Sequence, residues 1–437
     1  MHSFRYRDGH LYCEDVDLAR VAEELGTPAY VYSAGTILDH YARLDTALQS
    51  LDHLICYAVK ANSNRAILKL LAGAGAGFDI VSGGELYRVL AAGGDPAKCT
   101  FAGVGKSREE IEYALEQRVY SFNVESEAEL EHIDRIAGAK ETRAPIALRV
   151  NPDVDPHTHE YISTGSHENK FGIALDRVVA VYEQAAKMHN VEIVGVQMHI
   201  GSQIAEAKPF ASAIGKVAPI VHELKSKYGI KFLSIGGGMG IVYRRALESG
   251  SGKWWRDHGG ESFAFTVRDY ADAIEPELSA LHLRVLVEPG RFLVGNAGVL
   301  LTRVRFIKKS GAKKFAIVDA GMNDLIRPAL YRSYHEIVPV EEAKTRRSKS
   351  ENMEKIDIVG PVCESGDFFA LDREMPELHE GDLLAIMSAG AYGFVMASNY
   401  NSRPLPTEAL VCGDQLALIR KRQTLEDLVR GEIDPEL

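Results

Sequence analysis

The chain has 437 residues, of which 46% are hydrophobic and 25% are charged, and its formal net charge is −11 at pH 7. This length and composition are ordinary for a globular protein of one or two domains. The acidic balance argues against non-specific binding to nucleic acid or to an anionic membrane surface, and no run of about eighteen apolar residues indicates a membrane-spanning helix.

The five cysteines are widely spaced, at Cys13, Cys56, Cys99, Cys363 and Cys412. An odd number without a CxxC pair indicates neither a disulfide framework nor a zinc ribbon. The first ten residues, MHSFRYRDGH, lack the apolar core of a signal peptide. We therefore expect a cytoplasmic protein.

The first predicted elements are a hairpin, a helix and a strand. Asp8-Gly9 lies between two alternating segments, which is a strong hairpin signal. The stretch VDLARVAEELG has helical apolar spacing and a glycine stop, and PAYVYS follows as a strand. We predict that residues 1–34 join a β domain formed by a later part of the chain.

Strands and helices then alternate from residue 35 to residue 292. The predicted strands are Leu54–Val59, Phe78–Val81, Cys99–Ala102, Tyr120–Val124, Ile146–Val150, Ile193–Ile200, Phe232–Ile235 and Leu283–Val287. Little alternation within a strand is typical of buried parallel strands, and eight of them separated by helices form a (β/α)8 barrel. An open doubly wound sheet is the alternative, but no GxGxxG follows the first strand.

The alternation stops after residue 292, and residues 293–437 are predicted to form a β domain. Strand-like runs such as DQLALIRKR are separated there by glycine and Asp-Gly turns. VEEAKTRRSKSENMEK is charged and poor in apolar residues, so we predict an exposed loop, and residues 244–262 have the character of an insertion. The predicted fold class is α/β: a TIM-type barrel plus a C-terminal β domain joined by the N-terminal hairpin.

Polar side chains occur at the carboxyl ends of most of the predicted barrel strands. They are Lys60, Asp79, Arg149, His199, Ser202, Glu288 and Arg291. Each is weak evidence alone, since a lone histidine at a strand end is more often structural than catalytic. Barrel enzymes build their active sites on this face, so the whole set predicts an active site.

A glycine run, Gly236-Gly237-Gly238 with Gly240, follows the seventh strand. Such a run leaves backbone N–H groups open to a ligand, and a following helix would favour a phosphate there. A tight turn is the equally good alternative. Gly290 and Arg291 add an amide and a guanidinium that suit phosphate or carboxylate.

Lys60 ends an apolar strand, where an unpaired buried ammonium would be costly. The lysine must reach water, find a partner or become neutral. Covalent attachment to pyridoxal phosphate would make it neutral, and Glu288 could keep the cofactor's ring nitrogen protonated. We therefore predict that Lys60 is buried and carries pyridoxal phosphate. The histidines of HTHEY, His157 and His159, have no partner at a metal-binding spacing, so no metal site is predicted.

Six motifs together resemble the fold-type III pyridoxal-phosphate decarboxylases: YAVKAN, FDIVSGGEL, HIGSQ, GGGMG, EPGR and GPVCESGD. The resemblance spans roughly residues 25 to 420. HEYISTGSHENKFG, DAGMNDLIRPALY and GPVCESGDFFA resemble the branch that acts on diaminopimelate. That branch implies decarboxylation of meso-2,6-diaminopimelate to L-lysine and CO2, the last step of lysine biosynthesis.

The resemblance also implies roles for single residues. Lys60 would be the Schiff-base lysine, His199 would stack on the cofactor ring, and Cys363 would donate a proton after CO2 leaves. The other implied cofactor-binding residues are Asp79, Arg149, Ser202, Gly236, Gly237, Gly238, Gly240, Glu288, Gly290, Arg291 and Tyr392. The implied substrate-binding residues are Arg291, Arg327, Tyr331, Glu364 and Tyr392. The family forms head-to-tail homodimers in which Cys363 and Glu364 reach the partner's active site.

Three other functions remain as alternatives. Decarboxylases of arginine, ornithine or a carboxylated polyamine precursor act on substrates without the distal carboxylate that Arg327 would bind. Small non-catalytic pyridoxal-phosphate carriers lack a β domain and the CESGD segment. An amino-acid racemase is expected to place a cation, rather than Glu288, near the ring nitrogen.

Overall fold

The computed structural model describes residues 1–154, 170–258, 265–342 and 353–435. The chain forms two compact units. Met1–Ile37, Val242–Asp257 and Val294–Leu437 form the β unit, and Leu38–Ile241 and His258–Leu293 form the barrel unit. Within the described ranges, no helix combines the length and apolar character that crossing a membrane requires.

The N-terminal segment begins with a small antiparallel sheet. Its elements are β1 (Phe4–Arg7), β2 (His10–Cys13), β3 (Val16–Asp17), α1 (Leu18–Leu25), β4 (Ala29–Ser33) and α2 (Ala34–Ala47). The predicted hairpin is confirmed, because Asp8 and Gly9 have φ values of 49° and 83°, as a two-residue type I′ turn requires. Helix α1 is also confirmed, and the Asp17 carboxylate caps it by accepting the amide of Ala19.

All eight predicted barrel strands are present and parallel. They are β5 (His53–Ala58), β6 (Gly77–Ile80), β7 (Cys99–Phe101), β8 (Ser121–Val124), β9 (Ala144–Asn151), β11 (Val191–Met198), β12 (Phe232–Ser234) and β13 (Arg284–Val287), with β10 (Ile173–Ala174) beside β9. Their order is β9-β11-β12-β13-β5-β6-β7-β8, and pairing of β8 with β9 closes the barrel. The predicted barrel is therefore confirmed.

Helices follow the barrel strands as predicted. The helices after α2 are α3 (Arg65–Gly73), α4 (Gly83–Ala91), α5 (Arg108–Gln117), α6 (Glu127–Ala139), α7 (Val178–Ala185), α8 (Lys208–Tyr228), α9 (Gly252–His258), α10 (Val267–Leu281) and α11 (Arg291–Val294). Ser82, Ser107 and Ser126 begin α4, α5 and α6, and each side chain accepts a backbone amide of the first turn. Such caps satisfy donors that the helix leaves open.

The later part of the chain forms a mixed sheet. Its elements are β14 (Gly298–Ser310), β15 (Lys313–Val318), α12 (Arg327–Tyr331), β16 (Ile337–Pro339), β17 (Met353–Val359), β18 (Phe368–Pro376), β19 (Leu383–Ile386), β20 (Thr407–Cys412), β21 (Gln415–Arg420) and α13 (Leu425–Leu428). The order is β18-β17-β15-β14-β4-β20-β21, and β19 pairs with both β14 and β16. This confirms the predicted β domain, which the N-terminal segment enters through β4.

Two predicted loop regions are only partly covered by the structure. Most of VEEAKTRRSKSENMEK falls in residues 343–352, outside the described residues. The region predicted as an insertion contains α9, and its residues 259–262 also lie outside the described part of the chain.

A buried lysine connects two helices of the barrel unit. Lys106, just before α5, donates from Nζ to the carbonyl oxygens of Gly103 at 2.8 Å and Asn123 at 2.9 Å. It also donates to Oε1 of Glu129, on α6, at 2.6 Å. Three acceptors satisfy the three N–H bonds of the ammonium, so this buried charge is fully compensated.

We predict that Lys106→Ala lowers the free energy of unfolding by about 3–5 kcal/mol, because it leaves the buried Glu129 carboxylate without its cation. Urea denaturation followed by circular dichroism measures the change. Lys69→Ala, at an exposed lysine on α3, is the matched control and should be close to wild type. A Lys106→Ala protein as stable as this control would contradict the prediction.

Candidate active site

Lys60 lies in a single 3-10 turn, Val59–Ala61, directly after β5. Its ammonium forms an ion pair with the Asp79 carboxylate on β6; the Lys60 side chain is 39% exposed and that of Asp79 is 1% exposed. The prediction that Lys60 is buried is therefore wrong, because its ammonium has both a partner and access to water. Oδ1 of Asp79 is buried and has no hydrogen-bond donor among the described residues.

Glu288 is a buried carboxylate that follows β13. It accepts hydrogen bonds from Ser234 Oγ at 2.6 Å and from Gln197 Nε2 at 3.0 Å. Burial, followed by the negative charge of Asp79, raises the pKa of Glu288 to about 7, although both hydrogen bonds and Lys60 oppose the shift. This carboxyl group is therefore poised to pair with a cationic ligand near neutral pH.

The two residues that hold Glu288 were not among the predicted site residues. Gln197 lies two positions before His199 on β11, so a period of two places their side chains on the same side of the chain. Ser234 is the last residue of β12. Ser234 therefore also stands at the carboxyl end of a barrel strand, the criterion by which the other site residues were predicted.

His199 follows β11 and is held by the glycine run. The amide of Gly237 donates to Nδ1 of His199 at 3.2 Å. Burial, followed by the positive charges of Arg149 and Lys60, lowers the pKa of His199 well below its ordinary value. The ring is therefore neutral at pH 7, with its proton on Nε2 because Nδ1 accepts.

Arg149, on β9, is buried and paired with a glutamate that the sequence analysis missed. Its Nη1 donates to Oε1 of Glu125 at 2.8 Å. The same carboxylate accepts the amides of Gly103 at 3.2 Å and Gly172 at 3.0 Å. Glu125 directly follows β8, so it too stands at a strand end. It fixes the guanidinium and two loops at one point.

The glycine run packs against the backbone rather than standing open. A Cβ atom on Gly237 would lie 2.2 Å from the carbonyl oxygen of Glu288, so a side chain there is excluded. The amides of Gly236, Gly237 and Gly240 donate to Ser234 Oγ, His199 Nδ1 and the Ile204 carbonyl oxygen. The prediction of open amides is wrong for these three glycines. The Gly238 amide has no acceptor among the described residues, and no helix begins in residues 241–247.

Ser202 and Arg291 supply a second group of hydrogen-bond donors. Nη2 of the buried Arg291 donates to Ser202 Oγ at 2.9 Å. The hydroxyl therefore keeps its own proton for another acceptor. Gly290 precedes Arg291, and a Cβ atom there would lie 3.0 Å from Ala61 Cβ. A guanidinium, a hydroxyl and nearby glycine amides are the donor types that bind phosphate.

The electrostatic and hydrogen-bonded contacts link the predicted residues of the barrel unit into one site. Lys60 interacts with Asp79, Glu288 and His199. Glu85, on α4, belongs to the same group: burial raises its pKa to about 7, against the positive charge of Lys60. Its carboxylate accepts the amide of Val81 at 2.8 Å.

In the β unit, Arg327 is buried at the start of α12. Its Nη1 contacts the Tyr243 hydroxyl at 2.8 Å and Nε2 of His335 at 3.0 Å. His335 Nδ1 lies 2.8 Å from the carbonyl oxygen of Met387, so Nδ1 carries the proton and Nε2 accepts from the guanidinium. Tyr243 and His335, which were not predicted, therefore orient Arg327.

Cys363 and Glu364 are exposed in the loop 360–367. The Asp367 carboxylate closes this loop by accepting the amides of Met322 and Val362, each at 2.6 Å. A Cβ atom on Gly360 would lie 2.3 Å from Asp367 Oδ2, which explains the glycine. The motif GPVCESGD thus encodes a tight loop that presents a thiol and a carboxylate.

The two remaining predicted residues are tyrosines of the β unit. Tyr331 is the last residue of α12. Tyr392 lies between β19 and β20, half-buried, with a φ value of 55°. A positive φ is unusual for a bulky residue and often marks a functional site.

Metal binding finds no support in the described ranges, which contain no group of three or more His, Cys, Asp or Glu that could hold a metal ion. His157 and His159 lie outside these ranges, as does most of the HEYISTGSHENKFG segment.

Comparisons with known proteins show the family of this chain. Residues 34–295 match the family described as "Pyridoxal-dependent decarboxylase, pyridoxal binding domain". Diaminopimelate decarboxylase of Pseudomonas aeruginosa is 50% identical over 433 residues, which cover 99% of each chain. Two solved structures are similar as well. Diaminopimelate decarboxylase from Helicobacter pylori complexed with L-lysine has a TM-score of 0.85 and 41% identity, covering 94% of this chain and 98% of that one. The M. jannaschii enzyme in complex with L-lysine has a TM-score of 0.88 and 37% identity, covering 99% and 98%.

The raised pKa of Glu288 predicts a pH-dependent stability in the cofactor-free protein. The folded state holds the Glu288 proton up to a pH of about 7, whereas the unfolded state releases it near its ordinary pKa of 4.5. The free energy of unfolding should therefore fall by up to about 3 kcal/mol more in wild type than in Glu288→Gln as the pH rises from 4.5 to 7.

Urea denaturation at pH 5 and pH 8 measures this difference. Glu23→Gln, at an exposed glutamate on α1, is the control and should keep the wild-type pH dependence. Equal pH dependence in wild type and Glu288→Gln would contradict the prediction.

Proposed function

The chain belongs to the diaminopimelate decarboxylase family, and on this premise we propose roles for the residues of its barrel unit and its β unit. The reaction is the decarboxylation of meso-2,6-diaminopimelate to L-lysine and CO2, the last step of lysine biosynthesis. The observation that carries the proposal is the buried Glu288 carboxylate, which Ser234 and Gln197 hold at the end of a strand of the closed barrel. A carboxylate there suits a decarboxylase, because it can pair with a protonated ring nitrogen.

The residues of the barrel unit fit pyridoxal phosphate. Lys60 would hold it covalently through its amine, and the neutral His199 ring would offer a flat face to the pyridine ring. Glu288 pairs with the ring nitrogen. Bound pyridoxal phosphate supplies the electron sink that stabilises the carbanion left by CO2. Asp79, whose Oδ1 lacks a donor among the described residues, would offer this oxygen as an acceptor within the cofactor site.

Ser202, Arg291 and the glycines at 238 and 290 hold the phosphate, and Gly236, Gly237 and Gly240 form the turn beside it. The Ser202 hydroxyl already accepts from Arg291 and therefore donates its own proton to the phosphate. The amide of Gly238 is available, since it has no acceptor among the described residues. The amides of Gly236, Gly237 and Gly240 bind protein groups, so they shape the turn instead. Arg149, fixed by Glu125, keeps positive charge near the ring.

Substrate specificity comes from a cation and an anion. Diaminopimelate carries a second carboxylate and a second ammonium at its far end. Arg327, held by Tyr243 and His335, binds that carboxylate, and Glu364 binds that ammonium. Arg291, Tyr331 and Tyr392 complete the substrate site, with Tyr392 also next to the cofactor.

Cys363 donates the proton that replaces CO2. Its thiol is exposed on a loop whose base is closed by Asp367, so the thiol can approach a carbon atom of a bound substrate. A neutral thiol suits a proton donor better than a nucleophile.

We also propose a homodimer with shared active sites. Cys363 and Glu364 are exposed within one chain, yet both are assigned to chemistry that requires exclusion of water. A second copy that receives the loop 360–367 in its own site would resolve this conflict. A working thiol and five unpaired cysteines also favour a reducing compartment, which supports a cytoplasmic location.

The substrate assignment is tested by measuring CO2 release from a panel of amino acids with added pyridoxal phosphate. We expect release from meso-2,6-diaminopimelate, and none from arginine or ornithine, which leave Arg327 without a carboxylate. Lys60→Ala should be inactive, whereas the exposed-site control Lys69→Ala should be fully active. Release from ornithine but not from meso-diaminopimelate would refute the assignment.

The shared site is tested by mixing two inactive variants, Lys60→Ala and Cys363→Ala, after confirmed subunit exchange. Mixed dimers then contain one site with both Lys60 and Cys363 intact. We expect about a quarter of wild-type activity for random exchange, since half of the dimers are mixed and each has one intact site of two. No recovery of activity would refute sharing between subunits.

A further inference from the structure

A turn in the β unit, residues 399–403, contacts both functional residues of the loop 360–367. The hydroxyl of Tyr400 donates to Oε1 of Glu364. Oδ1 of the next residue, Asn401, accepts the backbone amide of Cys363 at 2.8 Å. Two consecutive residues therefore hold the two residues that carry the chemistry of the loop.

This turn has an unusual backbone. Asn401 and Ser402 both lie in the left-handed region, with φ values of 54° and 53°. Such a conformation is costly for residues other than glycine and persists only where surrounding contacts hold it. Asn399 fixes one end, because its Nδ2 donates to the Arg403 carbonyl oxygen at 2.9 Å and to Gln423 Oε1 at 2.6 Å.

The contacts of this turn are directed at functional atoms. Asp367 already closes the base of the loop through the amides of Met322 and Val362. The turn instead reaches the tip, where Cys363 and Glu364 are exposed. Tyr400 occupies Oε1 of Glu364, while Oε2 has no donor among the described residues and remains available to a ligand ammonium.

We propose, on the basis of the function proposed above, that Tyr400 and Asn401 are positioning residues for substrate specificity and for proton donation. Tyr400 orients the Glu364 carboxylate toward the distal ammonium of the substrate. Asn401 sets the backbone of Cys363 and so the position of its thiol. A turn with a purely structural role would lower the apparent kcat through loss of folded protein and would leave KM unchanged.

The Tyr400 part is tested with Tyr400→Phe, which removes only the hydroxyl. We expect KM for meso-2,6-diaminopimelate to rise about tenfold, because a hydrogen bond to a charged group is lost, while kcat stays close to wild type. Tyr87→Phe, at an exposed tyrosine of α4, is the matched control. An unchanged KM in Tyr400→Phe would refute this role.

The Asn401 part is tested with two variants that both tolerate a positive φ. Asn401→Gly removes the acceptor, and Asn401→Asp keeps it. We expect kcat to fall about tenfold in Asn401→Gly, as for loss of one well-aligned group at a reacting centre, and to be mostly restored in Asn401→Asp. Equal losses of kcat in both variants, or none in either, would refute the role.

A thiol measurement separates this proposal from the proposed function. In a Cys412→Ser background, iodoacetamide labels Cys363 as the exposed cysteine, and mass spectrometry follows the rate in cofactor-free protein. We expect Asn401→Gly to react faster, because a loop without its anchor opens more often. An unchanged rate would refute the anchoring role even if the enzyme is active. If wild type releases no CO2 from meso-diaminopimelate, the proposed function fails, while the labelling rates still decide whether Asn401 anchors the loop.

Discussion

The site in the barrel unit depends on a carboxylate that is removed from water. Glu288 keeps two donors, Ser234 and Gln197, yet burial still dominates and raises its pKa to about 7. Its own amide donates to the carbonyl oxygen of Gly236 at 2.8 Å, so the same residue also fixes the glycine turn. Glu288 therefore fixes the glycine turn and the ends of the neighbouring strands as well as the charge of the site. A cation next to Glu288 offsets the cost of burying its negative charge.

Two buried arginines have partners in place before any ligand arrives. Arg149 has Glu125, and Arg327 has Tyr243 and His335. Such preorganisation lowers the cost of orienting a group when the ligand binds. Cys363 and Glu364 show the opposite arrangement, since they are exposed and held mainly through backbone and hydroxyl contacts. Under the proposed function, buried arginines bind from fixed positions, whereas Cys363 and Glu364 act from an exposed loop.

The sequence predicts the barrel well because each strand is a local apolar run, and strand ends share one face by geometry. That rule finds Lys60, Arg149 and Glu288. It overestimates the burial of Lys60, because its partner Asp79 is distant in sequence. Pairing in space also decides that three glycine amides are engaged and that Tyr400 meets Glu364. The periodic pattern of apolar residues does not predict contacts between groups from separate segments.

The position of β4 has a consequence for synthesis on the ribosome. This strand, Ala29–Ser33, pairs with β14 on one side and with β20, Thr407–Cys412, on the other. One of its edges therefore stays unpaired until β20 has been translated, whereas every barrel strand is available by residue 287. Because an unpaired apolar edge promotes aggregation, the nascent chain carries this hazard until β20 is translated, and a variant without β20 would leave the edge permanently exposed.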